Sequence, residues 1–145
     1  MAWTLQELFA KLQTVRPNFV CMIASIDCGE TTTSTVIDMI TWSPDNTIIS
    51  NGVSATVEQK YSISPVLDTL RVFKSRNKNC YSINVTRGTK ILARATFYYG
   101  NYDGLLTPTF DLIFDGNFWD TINTSLSEVT RKEVIFVAKG DTVSV

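Results

Sequence analysis

Histidine is absent from this chain of 145 residues. That removes imidazole general bases, Ser-His-Asp and Cys-His nucleophile arrangements and imidazole metal ligands, leaving acid–base work to Asp, Glu, Lys, Tyr or Cys. Cysteine is scarce: Cys21, Cys28 and Cys80 form no C-x-x-C spacing, which argues against a zinc site and a thioredoxin-like motif. One bridge plus one free thiol suits an oxidising compartment and three reduced thiols suit the cytosol, so the count leaves the compartment open. Neither charge sign is in excess. Thirteen Lys and Arg stand against fourteen Asp and Glu, a net charge of -1, which provides no field for a polyanionic backbone and argues against general nucleic-acid binding. The longest apolar run, Phe19 to Ile26, is far shorter than the roughly 20 residues that span a bilayer. The N-terminus also lacks the apolar stretch of about 7–15 residues that marks a secretory signal.

What is present suits one folded domain, since domains commonly run to roughly 100–150 residues. A chain of this size buries about 68–70% of its unfolded surface, so a core forms without disulfide, metal or cofactor, and none is predicted. Leu5, Leu8, Phe9, Leu12 and Val15 recur at helical spacing, which predicts a short amphipathic helix or leader over residues 1–18, stopped near Pro17. It lacks the Lys/Arg-rich polar face of a membrane-surface helix.

From residue 19 to 145 the pattern changes to short runs rich in Val, Ile, Thr, Tyr and Phe, punctuated by turn clusters. That predicts an all-β antiparallel two-sheet sandwich. Strands are expected at Phe19–Ile26, Cys80–Val85, Lys90–Tyr99, Thr109–Asp115, Phe118–Ile122, Lys132–Ala138 and Thr142–Val145. Turns are expected at Ser43-Pro44-Asp45-Asn46, Ser50-Asn51-Gly52, Arg87-Gly88 and Asp115-Gly116-Asn117. The sequence ends in the strand-like alternation Val143-Ser144-Val145, which predicts an incomplete sandwich with an unpaired sheet edge at its C-terminus.

The segment Phe97-Tyr98-Tyr99-Gly100-Asn101-Tyr102-Asp103-Gly104 gathers three tyrosines, an amide and a carboxylate at a strand end and the loop after it. Sugars offer apolar C–H faces to aromatic rings and hydroxyls to Asp and Asn, so Tyr98, Tyr99, Asn101, Tyr102 and Asp103 form a candidate ligand site. The plainer reading is alternate tyrosines in the core and a turn shaped by its glycines. Asp103, Asp111, Asp115 and Asp120 raise the question of a glycosidase carboxylate pair, which no other catalytic signature supports. Arg71, Lys74, Arg76 and Lys78 form a basic run suited to an acidic partner or, more simply, to a solvated loop. Asn84-Val-Thr86 and Asn123-Thr-Ser125 match the N-glycosylation acceptor pattern, which matters only in the secretory pathway.

Taken together in order, Ser25-Ile-Asp-Cys-Gly29, Asp68-Thr-Leu-Arg-Val-Phe73, Asn79-Cys-Tyr81, Thr86-Arg-Gly-Thr-Lys90, Arg94-Ala-Thr-Phe97, Tyr99-Gly-Asn-Tyr-Asp-Gly104, Pro108-Thr-Phe-Asp-Leu112 and Asn117-Phe-Trp-Asp-Thr121 resemble the plant malectin-like domain, N-terminal lobe. The resemblance runs from about Ile23 to the end. It implies a jelly-roll type β-sandwich and a non-catalytic, lectin-like role as found in receptor-like kinase ectodomains and in smaller secreted or endoplasmic-reticulum proteins. The expected ligand is an oligosaccharide or cell-wall glycan, or alternatively a peptide or receptor protein in cell-surface signalling. It also implies secretory-pathway localisation and a Cys28–Cys80 bridge if the chain is oxidised, worth on the order of 3–4 kcal/mol in the chain-entropy treatment. The sequence departs from the family in resembling only one of the usual two tandem lobes and in lacking a visible signal. An aromatic pair at the sugar site of the animal relative aligns here with Tyr98-Tyr99 or Asn101-Tyr102, depending on the gap.

Overall fold

A computed structural model describes the backbone of residues 3–5, 7–13, 20–74 and 78–145 and the side chains of 24–74 and 78–145. Among these residues thirteen strands follow one another: β1 (Trp3–Leu5), β2 (Glu7–Gln13), β3 (Val20–Asp27), β4 (Thr35–Ile37), β5 (Ile40–Pro44), β6 (Val53–Thr56), β7 (Thr69–Phe73), β8 (Ser82–Asn84), β9 (Lys90–Phe97), β10 (Thr109–Phe114), β11 (Asn117–Asn123), β12 (Thr130–Val137) and β13 (Thr142–Ser144). Single 3-10 turns occupy Gln59–Tyr61 and Pro65–Leu67. A six-stranded sheet has the order β12-β9-β2-β3-β5-β4, in which only β3 and β5 pair in parallel. The other groups are β1-β7-β6, β10-β11 and β13-β8. The Asp115 N–H donates to the Ser144 carbonyl, joining the last two pairs.

The all-β expectation holds, and the strands from β8 onward fall within a few residues of their expected limits. Strand β12 shows why: its exposure alternates without a break, with Val134 and Phe136 turned toward the core and Ile135 and Val137 toward solvent, as a one-sided strand requires. Asp115 and Gly116, both at positive φ, turn β10 into β11 in two residues.

The N-terminal helix is not formed. Residues 3–5 and 7–13 are strands, and β2 lies between β9 and β3 in the six-stranded sheet. The boundary expected at residue 18 lies outside the described residues. Leu8, Ala10 and Leu12 satisfy a period of 2 while Leu5, Leu8, Phe9 and Leu12 satisfy 3.6, and an isolated helix of this length is marginal in water. Hydrogen-bonding partners on both sides decide for the strand. The expected stop at Pro17 lies outside the described residues. At the other end, β13 pairs with β8, and Tyr81 and Val145 exchange backbone hydrogen bonds at 2.8 and 3.0 Å.

Among the described residues two main clusters fill the interior, beside a third, minor one of Trp42 and Val66. The larger joins Ile91, Ala93, Ala95 and Phe97 of β9 to Leu112, Phe114 and Ile122 of the β10-β11 hairpin and to Ile83 and Val143 of the β8-β13 pair. The smaller holds Val57, Leu67, Leu70, Val72 and Tyr98. Strand β7 serves both: Leu70 and Val72 enter the smaller cluster, while Phe73 enters the larger.

Beside the larger cluster, through Tyr81, lies a buried charged knot. The carboxylate of Asp45 has no exposed surface and accepts from Arg71 Nε at 3.0 Å, from Arg71 Nη2, from the Tyr81 hydroxyl at 2.8 Å and from the Gly29 N–H at 3.1 Å. The hydrogen bond to Asp45 holds the Arg71 guanidinium above its ordinary pKa, and burial pushes the Tyr81 phenol up. Arg71 thus leaves the basic run: Lys74 and Lys78 are exposed, Arg71 is buried, and Arg76 lies outside the described residues.

The Cys28–Cys80 bridge is not made. Both thiols are free, Cys28 buried and Cys80 exposed. Successive residues of an extended chain face opposite sides, and it is Tyr81, not Cys80, that points inward to Cys28 and Asp45. Burial raises the Cys28 thiol well above its ordinary pKa and keeps it neutral. Cys21 lies in β3.

Removing one partner from a buried ion pair leaves the other charge stranded, at a cost of about 3–5 kcal/mol, whereas a hydrogen bond to a charged group is worth roughly 1.5–3 kcal/mol. Arg71→Met is therefore expected to lower the urea midpoint more than Tyr81→Phe, followed by tryptophan fluorescence. Equal losses would contradict the role given to the ion pair. Gly29→Ala is expected to be the most damaging of the three, since Gly29 sits at φ +95 and an added Cβ would lie 2.4 Å from the Leu70 carbonyl.

Candidate functional site

Strand β9 ends at Phe97 and the chain turns across the smaller core into the loop of residues 98–108. Tyr98 is 1% and Tyr99 0% exposed, so neither offers a ring face to a ligand. The Tyr98 hydroxyl donates to the Tyr61 carbonyl at 2.8 Å, tying this loop to the 3-10 turn at Gln59–Tyr61. The same two segments meet again where the Glu58 N–H donates to the Gly100 carbonyl at 2.9 Å. Gly100 is at φ +54, and a Cβ there would lie 2.4 Å from Val57 Cγ1, so the approach depends on glycine.

The Tyr99 hydroxyl is the centre of the loop. It lies 2.6 Å from Asp103 Oδ1 and accepts from the Leu105 N–H at 2.8 Å. Burial and the hydrogen bond to Asp103 push the Tyr99 phenol up to about 12. Burial alone would raise Asp103, but hydrogen bonds from Tyr99, the Leu105 N–H and Tyr102 outweigh it and hold the carboxyl below its ordinary pKa. Tyr102 packs edge-on against Tyr99 with ring centroids 5.4 Å apart and stays half-buried.

Asn101, at φ +54, donates through Nδ2 to Glu58 Oε2 at 2.5 Å. Glu58 Oε1 is 3.0 Å from Lys60 Nζ. The Asn101 and Lys60 bonds hold Glu58 below its ordinary pKa. Five expected ligand residues are thus brought together, but in two tiers: Tyr98 and Tyr99 form the footing, and Asn101, Tyr102 and Asp103 form a rim with Glu58 and Lys60. Leu105 and Leu106 continue it, 72% and 93% exposed.

Sequence reasoning did not find Glu58 or Lys60, because nothing local marks a carboxylate that meets Asn101 across 43 positions, and Lys60 joins only through Glu58. Leu105-Leu106 did carry a signal: adjacent leucines between Gly104 and Pro108 cannot both be buried by an alternating pattern.

The rim can accept and donate hydrogen bonds and present one aromatic ring. Its carboxyls Glu58 and Asp103 are both held low, opposite to the raised pKa that a glycosidase general acid requires. Asp111, Asp115 and Asp120 belong to the β10-β11 hairpin instead, where Asp111 accepts from Thr121 at 2.8 Å and Asp120 pairs with Lys132 at 2.5 Å. Among the described residues no cluster of three His, Cys, Asp or Glu could hold a metal ion, and no helix is long and apolar enough to cross a membrane. The acceptor asparagines, Asn84 at the end of β8 and Asn123 at the end of β11, are both exposed.

Comparison with known proteins places residues 26–145 in the family described as the malectin-like domain. An uncharacterized Arabidopsis thaliana protein is 36% identical over 124 residues, 83% of this chain and 25% of its own length. A probable leucine-rich-repeat receptor-like serine/threonine-protein kinase from the same plant is 50% identical over 78 residues, 53% of this chain and 9% of the kinase. A putative leucine-rich-repeat receptor-like kinase, also from Arabidopsis thaliana, is 36% identical over 132 residues, 83% of this chain and 15% of the kinase. The chain therefore spans a quarter or less of the length of these relatives. No solved structure matches it.

The geometry predicts an acid limb. Asp103 has a folded pKa below its ordinary value of 3.8, so its contribution to stability is present above that value and disappears as the pH falls through the folded pKa. Asp103→Asn should remove that component of the acid-induced loss, and Tyr99→Phe should reduce it and cost roughly 1.5–3 kcal/mol at neutral pH by removing the hydroxyl's hydrogen bond to the Asp103 carboxylate. Thermal melts between pH 2 and 7 provide the check. Identical acid limbs in all three proteins would contradict the assignment.

Proposed function

The chain belongs to the malectin-like domain family, and we propose that it is a non-catalytic recognition module that binds an oligosaccharide or cell-wall glycan on the rim built by Glu58, Lys60, Asn101, Tyr102 and Asp103. One observation carries this reading: the rim is fixed from beneath, by the Tyr98 and Tyr99 hydroxyls and by the bond between Asn101 and Glu58. Fixed polar groups lose little freedom on binding, which favours weakly held, hydroxyl-rich ligands. The half-buried Tyr102 ring supplies the apolar contact a pyranose face needs, and the amide and carboxylates accept and donate to its hydroxyls. In this reading Tyr98 and Tyr99 position the contacts and do not touch the ligand. The receptor-like kinases among the relatives support placing such a module in the secretory pathway or at the cell surface, where glycans are met.

A second reading, a peptide or receptor-protein partner, is favoured by Leu105 and Leu106, whose exposed side chains suit an apolar partner better than a sugar. Amide NMR of the chain titrated with short glucose oligosaccharides separates the two. Shifts confined to residues 58–61 and 101–105, with about a tenfold loss of affinity in Tyr102→Ala, are expected for the glycan. A well-dispersed spectrum that no oligosaccharide moves would reject the sugar reading and leave the protein partner, for which Leu105→Ser and Leu106→Ser are the informative changes.

A further inference from the structure

Two asparagines outside the rim have the local structure of modification sites. Strand β8 buries Ile83 and turns Asn84 to solvent, with Val85 half-buried and Thr86 exposed after it. Strand β11 does the same at its end: Ile122 is buried, Asn123 is exposed, Thr124 is buried with its hydroxyl donating to the Pro108 carbonyl at 2.8 Å, and Ser125 follows. In both triplets the chain turns the asparagine outward and the middle residue inward. The hydroxyl residue stands two positions on, as the acceptor pattern requires. Among the described residues the side-chain bond of Asn123 falls on the oxygen and not on the reactive atom: Thr109 Oγ1 donates to Asn123 Oδ1 at 3.1 Å, whereas a glycan is attached to Nδ2. Asn18, Asn46, Asn51, Asn77, Asn79, Asn101 and Asn117 lack a Ser or Thr two residues on.

We propose that Asn84 and Asn123 each carry an N-linked oligosaccharide. The donor is an oligosaccharide esterified to a polyisoprenoid diphosphate in the endoplasmic reticulum. Asparagine Nδ2 attacks the anomeric carbon, the bond from that carbon to the diphosphate oxygen breaks, and the diphosphate leaves with the electron pair. One amide proton passes to the transferase's base, and nothing is oxidised or reduced. The two glycans fall at opposite ends of the sandwich. Asn123 stands beside the recognition loop, because Thr124 is bonded to Pro108 and Thr130 pairs with Phe97. Asn84 stands at the far end, where Val85 bonds to Asp141 and Val137 pairs with Lys90. A glycan at Asn123 would narrow the approach to the rim from one side, and one at Asn84 would leave it open.

The proposal rests on the secretory location given above, and the test is arranged to read the acceptors independently of it. The full chain, fused to a cleavable signal that forces import, is translated with endoplasmic-reticulum microsomes, and the protease-protected fraction is run with and without an N-glycan endoglycosidase. Two stepwise mobility shifts are expected, both removed by the enzyme, with one shift remaining in Asn84→Gln or Asn123→Gln and none in the double variant. Thr86→Val and Ser125→Ala, which keep the asparagines and remove only the acceptor hydroxyls, should lose the same shifts. Protected chain of unmodified mobility would overturn the proposal, and loss of a single shift would overturn it for that asparagine.

Discussion

The Asp45 carboxylate is the constraint on which the rest of the sandwich hangs. It is buried without exposed surface, and four donors from three other parts of the chain converge on it: Gly29 after β3, Arg71 in β7 and Tyr81 before β8. A buried charge is tolerable only where it is paired and its remaining lone pairs are filled. Each of these segments must therefore reach its place for any of them to be stable there. The close approach of Gly29 to Leu70, where no Cβ fits, adds a steric requirement to the electrostatic one.

Strand β7 passes this constraint on. Arg71 is committed to the knot and Phe73 to the larger core, while Leu70 and Val72 on its other side enter the smaller core with Tyr98. The footing of the candidate site is thus packed against the strand that carries the knot. Sites that must hold several polar groups in fixed relation gain from such a rigid foundation. Here the foundation consists of a tyrosine ring in an apolar cluster and a hydroxyl that reaches the neighbouring segment at Tyr61.

The strands that could be read from sequence are those whose burial is decided by one face. In β8, β10 and β12, and in β9 as far as Ala95, the alternation and the turns agree, and the limits follow. The N-terminal strands could not be read in that way, because Leu5, Leu8, Phe9 and Leu12 fit a helix as well as an alternating strand and only partners distant in sequence choose between them. Arg71 looked like part of a basic surface because its neighbours Lys74 and Lys78 are; its partner Asp45 lies 26 positions away. Cys28 and Cys80 shared a resemblance but not a face, since the inward position beside Cys80 belongs to Tyr81.

The candidate site was legible as a segment and not as a division of labour. Tyr98 and Tyr99 are consecutive, and in a one-sided strand one of them would face water. Both are buried because β9 has already ended: Tyr98 drops into the smaller core, and Tyr99 is covered by its own loop, whose Asp103 carboxylate and Leu105 N–H close on its hydroxyl. Burial removes these two rings from ligand contact and at the same time fixes where Asn101, Tyr102 and Asp103 stand. Glu58, supplied from a segment that pattern reading passes over, completes the arrangement through a hydrogen bond that only the folded chain creates. The residues most conspicuous in the sequence therefore supply the site's rigidity, and its surface chemistry comes from their less conspicuous neighbours.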